Sequence, residues 1–383
     1  MVINTNKDNP SIVLRRAAQL LTCCVALSSI MYAHAAPFVI YDGRSAAMGG
    51  VGIVANARNG AYHNPALLAT NIEDYDAVLL APTYGQATTD PDKLEQSLDD
   101  LHKAALGSDT KIQSQLDLLK DAVYEKDTTR SLALIVPSTI VGTSAFVNSY
   151  DYNTVLATIG GDNLGTVPPT YVSTLDHRAV KVTELGASAG TLLDLSDGIF
   201  GGMQIGVSAK FLLLQTYGYS EPVNTANLGL NDSQLQRDSM FNFDVGMLRE
   251  FGVWKLGLVV KNILSKDFRY GRQSDTFSIV PQARLGIAYQ SRRTLLEFDT
   301  DLTQNKGIGY GEDNAYAAVG WEYQVYSTVF VRAGARQNLT GNKLASGSFG
   351  LGLGFWGFEL DVAAVSSSQE KAAYANLSYK IGS

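Results

Sequence analysis

The chain has 383 residues, a formal charge of −7, 45% hydrophobic and 17% charged residues, 36 glycines and 19 tyrosines. Soluble domains carry roughly 25% charged residues, and an acidic chain lacks the basic surface that holds a phosphate backbone, so no direct nucleic-acid binding is expected. No stretch after the leader is apolar over the roughly 18 residues that suggest a membrane-spanning helix.

Residues 1–35 read as that leader. Lys7, Arg15 and Arg16 form a basic start, Ala17 to Met31 an apolar stretch, and Ala33-His34-Ala35 an export-type cleavage site. Both cysteines, Cys23 and Cys24, fall inside it. A lipid anchor at Cys23 is opposed by Thr22 before it and by the short apolar run Ala17 to Leu21. Cleavage near Ala35 therefore leaves an exported chain without cysteine, which removes disulfides, thiol catalysis and thiolate metal sites together. The leader's net +2 leaves with it, so the remainder is near −9.

Residues 36–72 are dominated by small side chains, in "RSAAMGGVGIVANA" (44–57) and "AYHNPALLAT" (61–70). Gly50 to Ala55 match a G-x-G-x-x-A dinucleotide pattern, with Glu73 near the acidic position. The preceding "DGRSAAM" is a poor strand, and Asn59-Gly60 and Asn64-Pro65 break any following helix. A steric reading fits better. Small residues allow close backbone approach, and irregular chain lies inside a membrane barrel only where protein or water satisfies its polar groups. Pro65 fixes its own φ and biases Asn64 away from helix, and the Asn64 side chain caps nearby donors. A lumen plug over 36–72 is expected, built on Gly49, Gly50, Gly52, Asn64, Pro65 and Ala66.

Residues 73–383 read as the barrel itself. Its first long link, about 90–126, has the pattern of a helical hairpin: Asp90 as N-cap, Pro91 as first helical residue, Leu94, Leu98 and Leu101 on one face. Gly107-Ser108-Asp109 breaks to a second helix with Ile112, Leu116, Leu119 and Val123. It serves either as a lid on the barrel mouth or as a docking element for a partner.

Beyond it the chain alternates with period two. Met203, Ile205, Val207, Ala209, Phe211 and Leu213 share one face, and Gln204, Gly206, Ser208 and Lys210 the other. Trp254, Leu256 and Leu258 oppose Lys255 and Gly257; Leu285 and Ile287 oppose Arg284 and Gly286; Val319 and Trp321 oppose Gly320 and Glu322. The links alternate long (89–128, 159–171, 219–237, 266–278, 305–313) and short (137–139, 195–200, 250–252, 291–292, 326–327). That is the pattern of long outer loops and short periplasmic turns in an all-β, antiparallel outer-membrane barrel, and the strand count is about 14.

The stretch "GRSAAMGGVGIVANARNGAYHNPALLA" (43–69) resembles the N-terminal signature of the FadL-like outer-membrane barrels, whose small-residue run ends in an Asn-Pro-Ala step within a plug. The helical insertion and the length are closer to the conjugal-transfer TraF-type branch than to the fatty-acid transporters. The resemblance implies the same strand number and places Asn64, Pro65 and Ala66 in the plug motif. His63 stands where an aromatic is more usual, and the chain ends "SYKIGS" without the terminal aromatic, although Tyr379 and Ile381 keep the lipid-facing register.

Glu297, Asp299 and Asp301 share one strand face, and neighbouring wet faces carry Arg284, Glu322, Arg332 and Arg336. Close carboxylates have acid-base potential, but charges of both signs inside a narrow barrel build a lattice that fills it. Arg284 and Arg332 are expected to neutralise the acidic stripe. His63, His102 and His177 are scattered and define neither a catalytic array nor a metal cluster. The expectation is a non-enzymatic barrel with no cofactor and no metal, in contact with outer-membrane lipid. Two roles remain: serving transfer or secretion machinery proteins, or passing a hydrophobic ligand. The charged lumen favours the first, since a fatty ligand would desolvate those groups at several kcal/mol each. An apolar pocket near the outer mouth, lined by Leu98 and Leu101, would serve the second.

Overall fold

The computed structural model describes residues 38–382 apart from 56–59, 70–75, 105–108, 139, 167–168, 194–201, 272 and 342–343. The leader with Cys23 and Cys24, Glu73, the break at Gly107-Ser108 and the link at 195–200 lie outside the described residues. Alternating side chains make each strand two-faced, and antiparallel pairing of neighbours closes them on themselves. The strands are β1 (Ala77–Thr89), β2 (Val123–Val136), β3 (Val141–Thr158), β4 (Thr174–Leu193), β5 (Met203–Pro222), β6 (Gln236–Phe251) and β7 (Trp254–Lys261). After a small hairpin of β8 (Lys266–Arg269) and β9 (Thr276–Ile279) come β10 (Gln282–Gln290), β11 (Thr294–Asp301), β12 (Tyr316–Tyr326) and β13 (Val329–Asn338). The last are β14 (Ala345–Phe355), β15 (Phe358–Ser366) and β16 (Glu370–Ile381). Leaving out β8 and β9, all pair in sequence order, and β1 meets β16 to close a 14-stranded antiparallel barrel.

The outer wall is apolar. Val207 and Leu213 on β5, Phe241, Phe243 and Val245 on β6, Phe298 on β11 and Phe349 and Leu351 on β14 all stand exposed, the surface a bilayer requires. Their strand neighbours Gly206, Ser208, Asn242, Asp244, Glu297 and Asp299 face inward and are buried. No described helix is long and apolar enough to cross a membrane. Tyr379 and Ile381 are exposed on the wall, with Ser378 inside.

The plug residues fill the end nearer the termini. A short helix, α1 (Gly43–Ala47), is capped by Asp42, whose carboxylate accepts from the Ser45 N–H at 2.8 Å; the sequence pattern gave no helix here. Asn64 is followed by a 3-10 turn, Pro65–Ala69. The first outer loop holds α2 (Leu94–Ala104) and α3 (Asp109–Leu119). Asp90 does cap the first helix, accepting from the Leu94 N–H at 2.6 Å. Pro91, however, is not its first residue: the chain turns through Lys93 at a φ of 55° before the helix starts. Leu98 and Leu101 are closed into a cluster with Leu94, Ile112, Leu116 and the outer strand ends at Tyr124, Val155 and Leu175.

The long link after β7 is not a surface loop either. The β8–β9 hairpin turns inward, and its Phe268, Tyr270, Phe277 and Ile279 pack with Tyr41, Tyr62, Leu212 and Leu214. Tyr270 Oη accepts from the Gly309 N–H at 2.6 Å, tying this hairpin to the outer loop before β12.

Candidate functional site

The site is the lumen where plug meets wall. On β3, β4, β5 and β6 the residues directly opposite one another are Gly142, Gly190, Gly206 and Gly246. These four inward glycines form a ladder across four strands, and the 3-10 turn lies on it. A Cβ added at Gly142 would meet the Leu68 carbonyl oxygen at 2.0 Å, at Gly190 the Pro65 oxygen at 2.6 Å, and at Gly206 the Pro65 carbonyl carbon at 2.2 Å. At Gly246 it would meet Asn64 Oδ1 at 1.8 Å. Further round, Gly320 and Gly334 leave room for Met48, and Gly350 for Ala47. The wet-face glycines of the alternating strands are thus the footprint of the plug.

Asn64 holds the turn from both ends. Its Oδ1 accepts from the Ala66 N–H at 3.0 Å; its Nδ2 donates to Ile53 O at 2.9 Å and, more weakly, to Met247 O on β6 at 3.4 Å. Pro65 and Ala66 are buried behind it. Gly49 and Gly50 take φ values of 76° and 91°, a region where glycine carries no steric penalty. Gly52 presents its N–H to Asp299.

The acidic stripe has a different task from the one its charges suggest. Asp299 Oδ2 accepts the Gly52 N–H at 2.9 Å, and Glu297 Oε1 accepts the Val54 N–H at 2.9 Å. These two carboxylates grip plug backbone. Only Asp301 pairs with an arginine of the expected set, Arg284, at 2.6 Å, and Arg284 also donates to Gly50 O at 3.2 Å. Arg332 does not reach the stripe, because β12 lies between β13 and β11. Its guanidinium is 1% exposed and binds Glu322 at 2.6 Å and Asp361 at 2.5 Å. Glu322 in turn takes a two-pronged contact from Arg44 of α1, both distances 2.7 Å. Arg336 pairs with Glu370 on β16. A further buried cluster is absent from the sequence reading: Lys210 between Glu184 at 3.1 Å and Asp244 at 3.0 Å. Alternation marked Lys210 as inward; its partners become visible only once register is known.

One contact joins residues that sequence spacing kept apart. His63 Nε2 lies 3.0 Å from Asp42 Oδ2 and 3.2 Å from Ser45 Oγ. Asp and Ser share one ring nitrogen, and Nδ1 has no partner. A relay needs the acid on one nitrogen and the hydroxyl on the other, so this is a structural knot. Burial, reinforced by Lys261 and Arg284, pushes the His63 pKa down against the pull of Asp42. We assign the neutral ring with its proton on Nε2, donated to Asp42. Burial raises the Asp42 pKa, but hydrogen bonds from His63 and Ser45 outweigh it and leave it lowered. His102 and His177 lie elsewhere, and among the described residues no group of three acidic, His or Cys side chains is placed to hold a metal ion.

A closed 14-stranded wall, inward polar faces and an N-terminal segment docked inside it define a β-barrel with the fold of outer-membrane channels. The fold is similar to the toluene transporter TbuX of Ralstonia pickettii, with a TM-score of 0.56 and 11% identity over 90% of this chain and 99% of that one. It is likewise similar to the P. putida toluene transporter TodX, TM-score 0.53 and 11% identity over 91% and 100%. A FadL homologue of Pseudomonas aeruginosa gives 0.52 and 12% over 91% and 99%. No curated protein matches the chain in sequence. Residues 61–301 match the model of the family described as "F plasmid transfer operon, TraF, protein", and the chain belongs to that family.

Proposed function

We propose that the chain is a plugged, non-enzymatic barrel that serves transfer or secretion across the outer membrane, with the plug docked in its resting form. The observation that carries this reading is the double anchorage of the plug. The glycine ladder receives the Asn64–Ala69 turn, and Glu297, Asp299, Arg284 and Glu322 bind plug backbone or the Arg44 side chain. A lumen so filled suits a scaffold whose outer face and rim meet other proteins, and the family membership supports the same reading. Export and cleavage near Ala35, a plug over 36–72 and a barrel from 73 belong to it. In planar bilayers the purified chain should conduct little, and deletion of residues 38–68 should raise conductance while the unheated gel band persists. In cells that carry the gene, its deletion should lower plasmid transfer frequency. Unchanged transfer would overturn the assignment.

A second reading, passage of a hydrophobic small molecule, is favoured by one feature of the wall. The registers of β1 with both β16 and β2 shift between Leu80 and Tyr84, where Pro82 lacks an amide donor for the ladder. The likeness to two toluene transporters points the same way. Uptake of labelled toluene or oleate by cells expressing the chain, lost when β1 is regularised, would replace the first reading by this one.

A further inference from the structure

Above the plug lies a cavity of about 160 Å³, bounded by β1, β2, β16 and the outer loop before β12. Cavities of about 150 Å³ hold a benzene-sized ring, so the space fits one small cyclic molecule. The strand registers stack its wall in three rows. In the first, Glu370 of β16, Thr89 of β1, Glu125 of β2 and Thr154 of β3 stand side by side. The second runs through Ala372, Ala87, Asp127 and Tyr152, and the third through Tyr374, Gly85, Thr129 and Tyr150. The small Ala87 side chain of β1 in the second row leaves the hollow, and carboxylates and phenol rings surround it.

Glu125, Asp127 and Glu370 line this space with Arg336, the lining cation among the described residues, and Glu312 also lines it with contacts of its own. Arg336 is committed to Glu370 and lies over the Tyr316 ring at 5.0 Å. Asp127 Oδ1 is shut from solvent and has no hydrogen-bond partner. The neighbouring Thr129 side chain, 7% exposed, also lines the cavity with its hydroxyl unpartnered. An enclosed carboxylate and hydroxyl left unsatisfied are costly unless something enters to meet them. A positively charged occupant matches Asp127 and Glu125, and Tyr152, Tyr316 and Tyr374 give it aromatic walls. Among the described residues no group of three acidic, His or Cys side chains is placed to hold a metal ion, and the volume suits a ring-sized body.

We propose that this cavity is a binding site for a small organic cation, a primary or quaternary amine with one ring-sized apolar portion. Asp127 and Glu125 neutralise the charge, Thr129 accepts a hydrogen bond from the ammonium group where one is present, and the tyrosines flank the apolar portion. Phe38, Val39 and Ile40 of the N-terminal segment also line the cavity, so the site needs that segment in place but does not depend on the transfer role.

The test is calorimetric titration of the full chain, folded in detergent, with benzylammonium chloride as probe and benzyl alcohol as its uncharged counterpart. One amine should bind per chain and benzyl alcohol should not. Asp127→Asn should weaken amine binding about tenfold or more, since it removes a close enclosed charge partner. Ala87→Leu, which fills the hollow and leaves every charge in place, should abolish it; should Asp127→Asn fail to give a folded unheated gel band, Ala87→Leu and Glu125→Gln carry the test. Absence of amine binding to the wild-type chain would overturn the proposal, as would equal binding by the wild type and all folded variants. Equal binding of benzyl alcohol would make the site merely apolar, and calcium that competes for the same position would make it a metal site; each overturns the assignment.

Discussion

Alanine at Gly206 tests whether the plug is seated on the wall or merely enclosed by it. The added Cβ would lie 2.2 to 2.4 Å from the Pro65 carbonyl and the Ala66 nitrogen, which are backbone atoms and have no rotamer to escape into. To reach ordinary contact at 3.4 Å the 3-10 turn must rise by about 1.2 Å from β5, because the wall is bonded on both sides by β4 and β6. Such a lift draws Asn64 away from Met247 O and strains its bond to Ile53 O, and overpacking of this kind costs about 1–3 kcal/mol. Every 1.4 kcal/mol is a factor of about ten in an equilibrium, so the undocked population should rise about five- to a hundredfold. Single-channel recordings of Gly206→Ala should show frequent openings that are rare in the wild type, while the unheated gel band stays that of a closed barrel. Gly347→Ala on β14, where no atom lies within 4 Å of the added Cβ, is the control and should behave as wild type. Equal recordings from Gly206→Ala and Gly347→Ala would refute the seating argument.

The remaining predictions concern charge. Arg332→Ala leaves Glu322, Glu359 and Asp361 around an emptied centre, and breaking an enclosed ion cluster costs about 3–5 kcal/mol; the temperature at which the folded gel band is lost should fall, and melts that superimpose on wild type would place the cluster in open water. Docking of the plug should weaken in acid. With the His63 pKa lowered in the docked state, the released plug binds the extra proton, so docking loses stability as pH falls below about 6.5 towards the lowered value. Asp42, whose own pKa is lowered, has a contribution present above its ordinary 3.8 and lost below it. Conductance should therefore rise between pH 7 and pH 5, and His63→Gln should flatten that rise; a flat profile in the wild type would remove His63 from the account.

Much of this architecture could be read before any coordinates. Lipid forces one face of every strand to be apolar, so Val207, Phe243 and Phe298 announce the wall through period two alone, and the rhythm of long and short links separates a barrel from a sandwich. What stayed hidden depends on register. Gly142, Gly190, Gly206 and Gly246 are far apart in the chain, and only pairing sets them in one row; read singly, each is a gap in a polar face. The same holds for Arg332, whose partners follow from its position opposite Glu322, and for the meeting of Asp42, Ser45 and His63 across an irregular stretch. The inward β8–β9 hairpin had a local sign in the alternating Phe268, Tyr270, Phe277 and Ile279, which a loop between long strands did not invite one to see.

The circular order of the strands also imposes a timetable on biogenesis. The turn at Pro65–Ala69 rests on β3 to β6, a block of consecutive hairpins synthesised soon after it, whereas α1 touches β13 to β16, the last quarter of the polypeptide. One half of the N-terminal segment can therefore bind an open sheet early, and the other half meets its wall only when the final strands arrive. Contacts this distant in the chain form late and slowly. In the closed cylinder the segment is held between an early and a late block of strands like a mandrel, and the β1–β16 seam completes the wall around it.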